Sequence, residues 1–155
     1  MMMHLCCDVI SALKDKSLVT AESCTGGAIG AALTSVPGSS AVFKGGIISY
    51  TNWVKEKFLL VDPALLETIG AVSAPVAEQM AAGVRKQLEA DVAVSVTGLA
   101  GPGGDEFGNP VGTVFIGYAD KQGSKAYVYH FAGDREAVRQ SAIEAALNVI
   151  LENEI

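Results

Sequence analysis

Residues 91–104 read DVAVSVTGLAGPGG, and the change of character at Thr97 decides the fold. Before it, Val92, Val94 and Val96 alternate with Ala93 and Ser95, the period-two pattern of a strand, and the lack of charge within the run makes that strand a central one. After it, Gly98, Gly101, Gly103 and Gly104 crowd around Pro102, a composition that neither strand nor helix tolerates. A buried strand thus opens into a loop whose backbone can approach a ligand closely.

The flanking segments extend this into an α/β pattern. Upstream, residues 74–89 place Val76, Met80, Val84 and Leu88 on one helical face and Glu78, Arg85, Lys86 and Glu89 on the other. Downstream, residues 111–119 and 124–131 read as two strands joined by a DKQG turn. Residues 134–152 follow as a helix with Val138, Ala142, Ala145 and Val149 on one face. Toward the N-terminus, residues 4–15 predict an amphipathic helix on Leu5, Val9 and Ala12/Leu13, and 17–22 a buried strand. Residues 24–34 predict a helix of small residues whose first turn holds Gly26 and Gly27, and VPGSS (36–40) is a turn. Residues 41–51 predict a strand with a close approach at its Gly-Gly pair. Short helices at 52–59 and 62–69 come next, the second started by Asp62 as N-cap and Pro63. The expectation is one domain over 1–155. It is a three-layer α/β/α sandwich with a mixed, mostly parallel sheet and an antiparallel edge hairpin.

Composition narrows the function classes. Half of the 155 residues are hydrophobic and 18% are charged, so disorder is excluded, and the 17 glycines lack the period of three of a collagen. No apolar run reaches the ~18 residues that span a bilayer. The first residues carry no basic n-region and include Asp8, which argues against a signal peptide. Cys6, Cys7 and Cys24 form neither a disulfide framework nor a CxxC pair, as expected of a reducing cytoplasm. The net charge of −6, without Lys/Arg clusters, argues against nucleic acid as a partner.

In sheets of this kind ligands gather at the carboxyl ends of the strands, and three polar clusters fall there. The first is Glu22-Ser23-Cys24-Thr25-Gly26-Gly27, where N–H groups at a helix start would hold an anion or oxyanion, the alternative being a Ser or Thr that only caps the helix. It matches neither GxxxxGK[ST], GxGxxG nor GxSxG. The second runs from Ser49 to Lys55 through Tyr50. A lysine at a strand end is either a solvated surface group or, if desolvated, a base. Lowering its reference pKa of ~10.4 to ~7–8 costs about 4 kcal/mol, which burial and a nearby helix N-terminus can supply. Ser-Lys pairs are an established variant of nucleophile activation. The third is Thr97 with Gly98, Gly101 and Gly103, either an anion nest or an ordinary flexible loop. A fourth feature, Arg135 and Arg139 at i,i+4, would grip a phosphate or pair with nearby glutamates. His4 and His130 lie outside these clusters, which disfavours a histidine base and a His-rich zinc site.

The strings TAESCTGG, VPGSSAVFKGGIISYTNWVK, GAVS, VTGLAGPGG, NPVGTVFIGYA and GDREAVR, in this order, resemble the C-terminal domain of the competence/damage-inducible protein CinA, a domain that also occurs alone as nicotinamide-nucleotide amidase. The resemblance runs from about Leu5 to Asn148 and matches the stand-alone form. It implies hydrolysis of the carboxamide of nicotinamide mononucleotide to nicotinate mononucleotide and ammonia, without metal or organic cofactor. It carries the nucleophile to Ser23, the base to Lys55, and further catalytic roles to Tyr50, which would share or orient the proton, and to Thr97. Joined to the residue reading, it gives backbone N–H groups around Cys24, Thr25, Gly26 and Gly27 and at Thr97–Gly98 as oxyanion donors. The loop with Gly98, Gly101 and Gly103, together with one or both of Arg135 and Arg139, is the phosphate site. Glu22 or the acidic field would favour the cationic pyridinium. Cys24 is the rival nucleophile, since a thiol at a helix start can have a lowered pKa. A homo-oligomer is expected, a dimer being favoured, with no membrane partner. The reading from another class is a non-catalytic nucleotide-binding or regulatory module linked to competence or DNA damage.

Overall fold

The computed structural model describes residues 2–154. Helix α1 (Met2–Ala12) leads into β1 (Leu18–Glu22), α2 (Ala28–Thr34), β2 (Phe43–Ile48), α3 (Asn52–Leu59), α4 (Pro63–Thr68) and α5 (Ala74–Gln87). Strands β3 (Val92–Gly98), β4 (Thr113–Asp120) and β5 (Gly123–His130) and helix α6 (Arg135–Glu154) complete it. The five strands lie in the order β2-β1-β3-β4-β5. The β2–β1 and β1–β3 pairs are parallel, and β3–β4 and β4–β5 are antiparallel. The α/β sandwich with its antiparallel hairpin at one edge is therefore present, and β3 occupies the middle of the sheet.

The alternation along β3 builds both layers. Val92, Val94 and Val96 enter one core with Leu18, Ile29, Leu33, Val9 and the inward face of α6. Ala93 enters the other, with Val19, Ala21, Val76, Met80 and Val84. On this second face the sheet is lined by small residues, so α5 sits close to it. The Ser95 hydroxyl donates to Ala77 O at 2.7 Å, and a Cβ on Gly117 would lie 2.2 Å from the same carbonyl. The Gly-Gly close approach expected in β2 is found at Gly46, where a Cβ would lie 2.2 Å from Thr20 Oγ1.

Several boundaries differ from the sequence reading, among them that of the first helix, which covers Met2–Ala12 and not 4–15, and two lie beside Ser23 and Lys55. The helix expected over 24–34 begins only at Ala28, because Gly26 (φ 60°) and Gly27 (φ 103°) adopt left-handed conformations in a turn instead of forming the first helical turn. The strand expected over 41–51 is confined to 43–48, since Ser39–Ala41 forms a 3₁₀ turn and the ladder ends where Ser49 N donates to Glu22 O. No helix among the described residues is long and apolar enough to cross a membrane.

Helix α5 also sets the end of α3. A Cβ on Gly83 would stand 1.9 Å from Leu59 O and 2.7 Å from Leu59 C, so the two helices touch backbone to backbone. Gly83→Ala is expected to lower stability by about 1–3 kcal/mol through overpacking, although alanine is the better helix former. Urea unfolding of the two proteins measures this, and an unchanged midpoint would contradict the contact.

Candidate active site

The parallel strands β2, β1 and β3 end on one side of the sheet, and their C-terminal loops enclose a cavity of about 270 Å3. Ser23 and Cys24 enter it from β1, Tyr50, Asn52 and Lys55 from the β2–α3 segment, and Thr97, Gly98, Gly101 and Gly103 from the β3 end. Arg135, the first residue of α6, closes one side. A cavity of about 350 Å3 lies near the opposite strand ends, lined by charged residues that include Lys16, Asp91 and Glu154, and holds neither the serine nor the lysine of this site.

Among the described residues, Lys55 is the only buried lysine, 2% exposed, on the first turns of α3. Its Nζ lies 3.1 Å from Ser23 Oγ, 2.9 Å from Ser49 O and 3.4 Å from Tyr50 O. None of these is a carboxylate. Burial without a counter-charge disfavours the ammonium form and pulls the amine down to about 8. Ser23 is itself buried and held from the backbone by Ser23 N donating to Val96 O. A neutral amine at this distance can accept the hydroxyl proton of Ser23.

Cys24 behaves differently from the reactive thiol considered above. Burial pushes it up to about 11, outweighing its own amide and the nearby Arg139 and Lys55 cations, so the thiol stays protonated at neutral pH. Glu22 is also reassigned. Its buried carboxylate accepts from Ile29 N at 2.9 Å and Gly30 N at 3.0 Å, filling the helix start that was expected to receive an anion, and Glu22 does not line the cavity. The Thr97 hydroxyl donates to Ala71 O at 2.9 Å, which fixes the loop before α5 against the β3 end. The Tyr50 ring is exposed at the mouth, and its hydroxyl accepts from Arg135 at 3.0 Å; only its carbonyl reaches Lys55. Arg135 also donates to Gly101 O at 2.6 Å. Arg139, one turn on, donates to Cys24 O and Thr25 O and does not line the cavity. Thr25, Gly26 and Gly27 form the turn behind Ser23 and not the cavity wall. Asn52 lies within the second sequence cluster but carries no role in the sequence reading, and Ala71, Val72, Leu99 and Ala100 also line the cavity without an assigned role, because nothing in their local pattern sets them apart. Among the described residues, no group of three or more His, Cys, Asp and Glu is placed to hold a metal ion.

Residues 4–153 match the family model described as CinA C-terminal domain. A CinA-like protein of Synechococcus sp. is 48% identical over 135 residues, 86% of this chain and 32% of its own length. A CinA-like protein of Cyanothece sp. is 53% identical over 122 residues, 79% of this chain and 29% of its own. The chain thus spans about a third of the length of these curated relatives. Among solved structures, a competence-damaged protein (CinA) superfamily protein of Klebsiella pneumoniae superposes with a TM-score of 0.96 at 32% identity, covering 99% of this chain and 98% of that one. The competence/damage inducible protein CihA of Agrobacterium tumefaciens gives 0.93 at 37% identity, covering 97% and 94%.

The depressed lysine has a thermodynamic signature. With the amine at about 8 in the folded protein and an ordinary value near 10.5 when unfolded, only the unfolded chain holds that proton between these limits. Stability therefore rises with pH across this window, and below it the folded state carries a buried charge costing on the order of 3 kcal/mol. Lys55→Met is expected to raise the melting temperature at pH 7, with the gain shrinking from pH 8 toward 10. A gain independent of pH would show that Lys55 is not desolvated.

Proposed function

This chain belongs to the CinA C-terminal domain family, and from that premise we propose that it is an amidohydrolase that converts nicotinamide mononucleotide to nicotinate mononucleotide and ammonia. The observation that carries the reading is the Lys55 amine, buried without a counter-charge and 3.1 Å from Ser23 Oγ inside a cavity. A binding module has no use for a desolvated base aimed at a serine hydroxyl.

Ser23 Oγ attacks the carboxamide carbon while neutral Lys55 takes the hydroxyl proton. The carbonyl π electrons move to oxygen, giving a tetrahedral oxyanion that backbone N–H groups beside Ser23 and at Thr97–Gly98 stabilise. Collapse breaks the C–N bond. Lys55 returns its proton to the leaving nitrogen, ammonia departs, and an ester to Ser23 remains. Lys55 next deprotonates water, which attacks that ester, and Ser23 recovers its proton as the carboxylate leaves. Tyr50 and Arg135 stand at the mouth, where Arg135 and the glycine loop from Gly98 to Gly103 meet the phosphate. Apolar side chains at Ile48 on β2 and at Trp53 and Phe58 on α3 are exposed, which supports the homodimer as part of the same proposal.

Ammonia release is to be measured across nicotinamide mononucleotide, its riboside, the dinucleotide and free nicotinamide. Turnover is expected with the mononucleotide. It should vanish in Ser23→Ala and Lys55→Met and persist in Cys24→Ala. The kcat/KM value should rise with pH and level off above about 8, as the lysine loses its proton. Release from none of the four substrates would favour the nucleotide-binding module, and turnover retained by Ser23→Ala would remove the serine mechanism.

A further inference from the structure

Arg135 and Arg139 lie four residues apart on α6, and they reach different loops. Arg135 spans the mouth of the cavity, from Gly101 O to the Tyr50 hydroxyl. Arg139 is half-buried and faces the β1–α2 turn, with Nε donating to Cys24 O at 3.0 Å and an Nη to Thr25 O at 3.2 Å. Both carbonyls directly follow the nucleophile in the chain.

That turn is entropically costly to order, because glycine loses more backbone freedom on folding than any other residue. Gly26 and Gly27 both sit at positive φ. The Thr25 hydroxyl is buried with no hydrogen-bond partner among the described residues, an arrangement that ordinarily costs ~1–3 kcal/mol. Its own backbone bonds are Gly26 N to Ser23 O and Ala28 N to Thr25 O, each 3.0 Å. Bonds from outside the turn therefore contribute to holding it in one conformation. A trans peptide is planar, so holding the Thr25 carbonyl also sets the Gly26 N–H, and that N–H donates to Ser23 O. The bridge from Arg139 to the backbone of Ser23 is one peptide plane long.

We propose that Arg139 is a positioning residue of the amidase, its guanidinium locking the turn that aims Ser23 at Lys55, and that it takes no part in holding the phosphate. This rests on the amidase reading above, and the experiment separates the two. Arg139→Gln is expected to lower kcat about tenfold to a hundredfold, equally for nicotinamide mononucleotide and for its riboside where both are turned over, as displacement of a reacting group does. The KM for the mononucleotide should stay within about threefold of wild type, the pattern of an interaction realised in the transition state. Arg139→Lys should recover part of kcat, since an ammonium still donates to a carbonyl. A second readout needs no turnover: alkylation of the buried Cys24 by iodoacetamide, followed by peptide mass spectrometry with exposed Cys7 as internal reference. Loosening the turn should speed alkylation of Cys24 and leave Cys7 unchanged. Wild-type kcat in Arg139→Gln, or a KM increase confined to the phosphorylated substrate, would overturn the proposal, as would unchanged Cys24 alkylation. If wild type releases no ammonia, the amidase reading fails while the alkylation still tests the lock. If Arg139→Gln does not fold, Arg139→Lys carries both readouts, with smaller expected effects.

Discussion

A lysine amine held away from water, with two carbonyls and one hydroxyl as its hydrogen-bond partners, is the constraint on which the rest of this structure turns. A carboxylate in that place would have kept the amine charged and useless as a base. The acid nearest in the chain to Ser23 is Glu22, adjacent to it, and the fold directs it to the amides of α2. One interaction thus caps a short helix and leaves Lys55 without a partner. The backbone contact between Gly83 and Leu59 seats α3 against α5, and α3 carries the lysine.

The sheet divides its labour by face. Bulky valines on one side of β3 fill the core beneath α1, α2 and α6, while small residues on the other let α5 lie close. The parallel half of the sheet gathers three loops at one edge, and the antiparallel hairpin extends the surface that α5 covers.

Much of this was legible in the sequence because it depends on local alternation. The DVAVSVT strand, the amphipathic face of residues 74–89 and the position of Ser23, Lys55 and Thr97 at strand ends all follow from periodicity and punctuation. What escaped depends on contacts between distant segments. The glycines at 26 and 27 suit a first helical turn as well as a left-handed turn, and only the packing around Ser23 selects the second. Nothing local shows that Cys24 is buried deeply enough to raise its thiol, or that the Tyr50 hydroxyl belongs to Arg135 and not to the lysine. The i,i+4 arginines were visible as a pair, but their different partners were not.

Those partners give the chain a direction in time. The carbonyls of Cys24 and Thr25 are bonded by a residue that follows them by 115 and 114 positions. During synthesis from the N-terminus, Ser23 at the end of β1 and the helix bearing Lys55 leave the ribosome long before α6 exists. On the proposed mechanism, the nascent polypeptide would hold Ser23 and Lys55 yet lack the arginine that fixes the turn after Ser23, so their alignment would wait for α6.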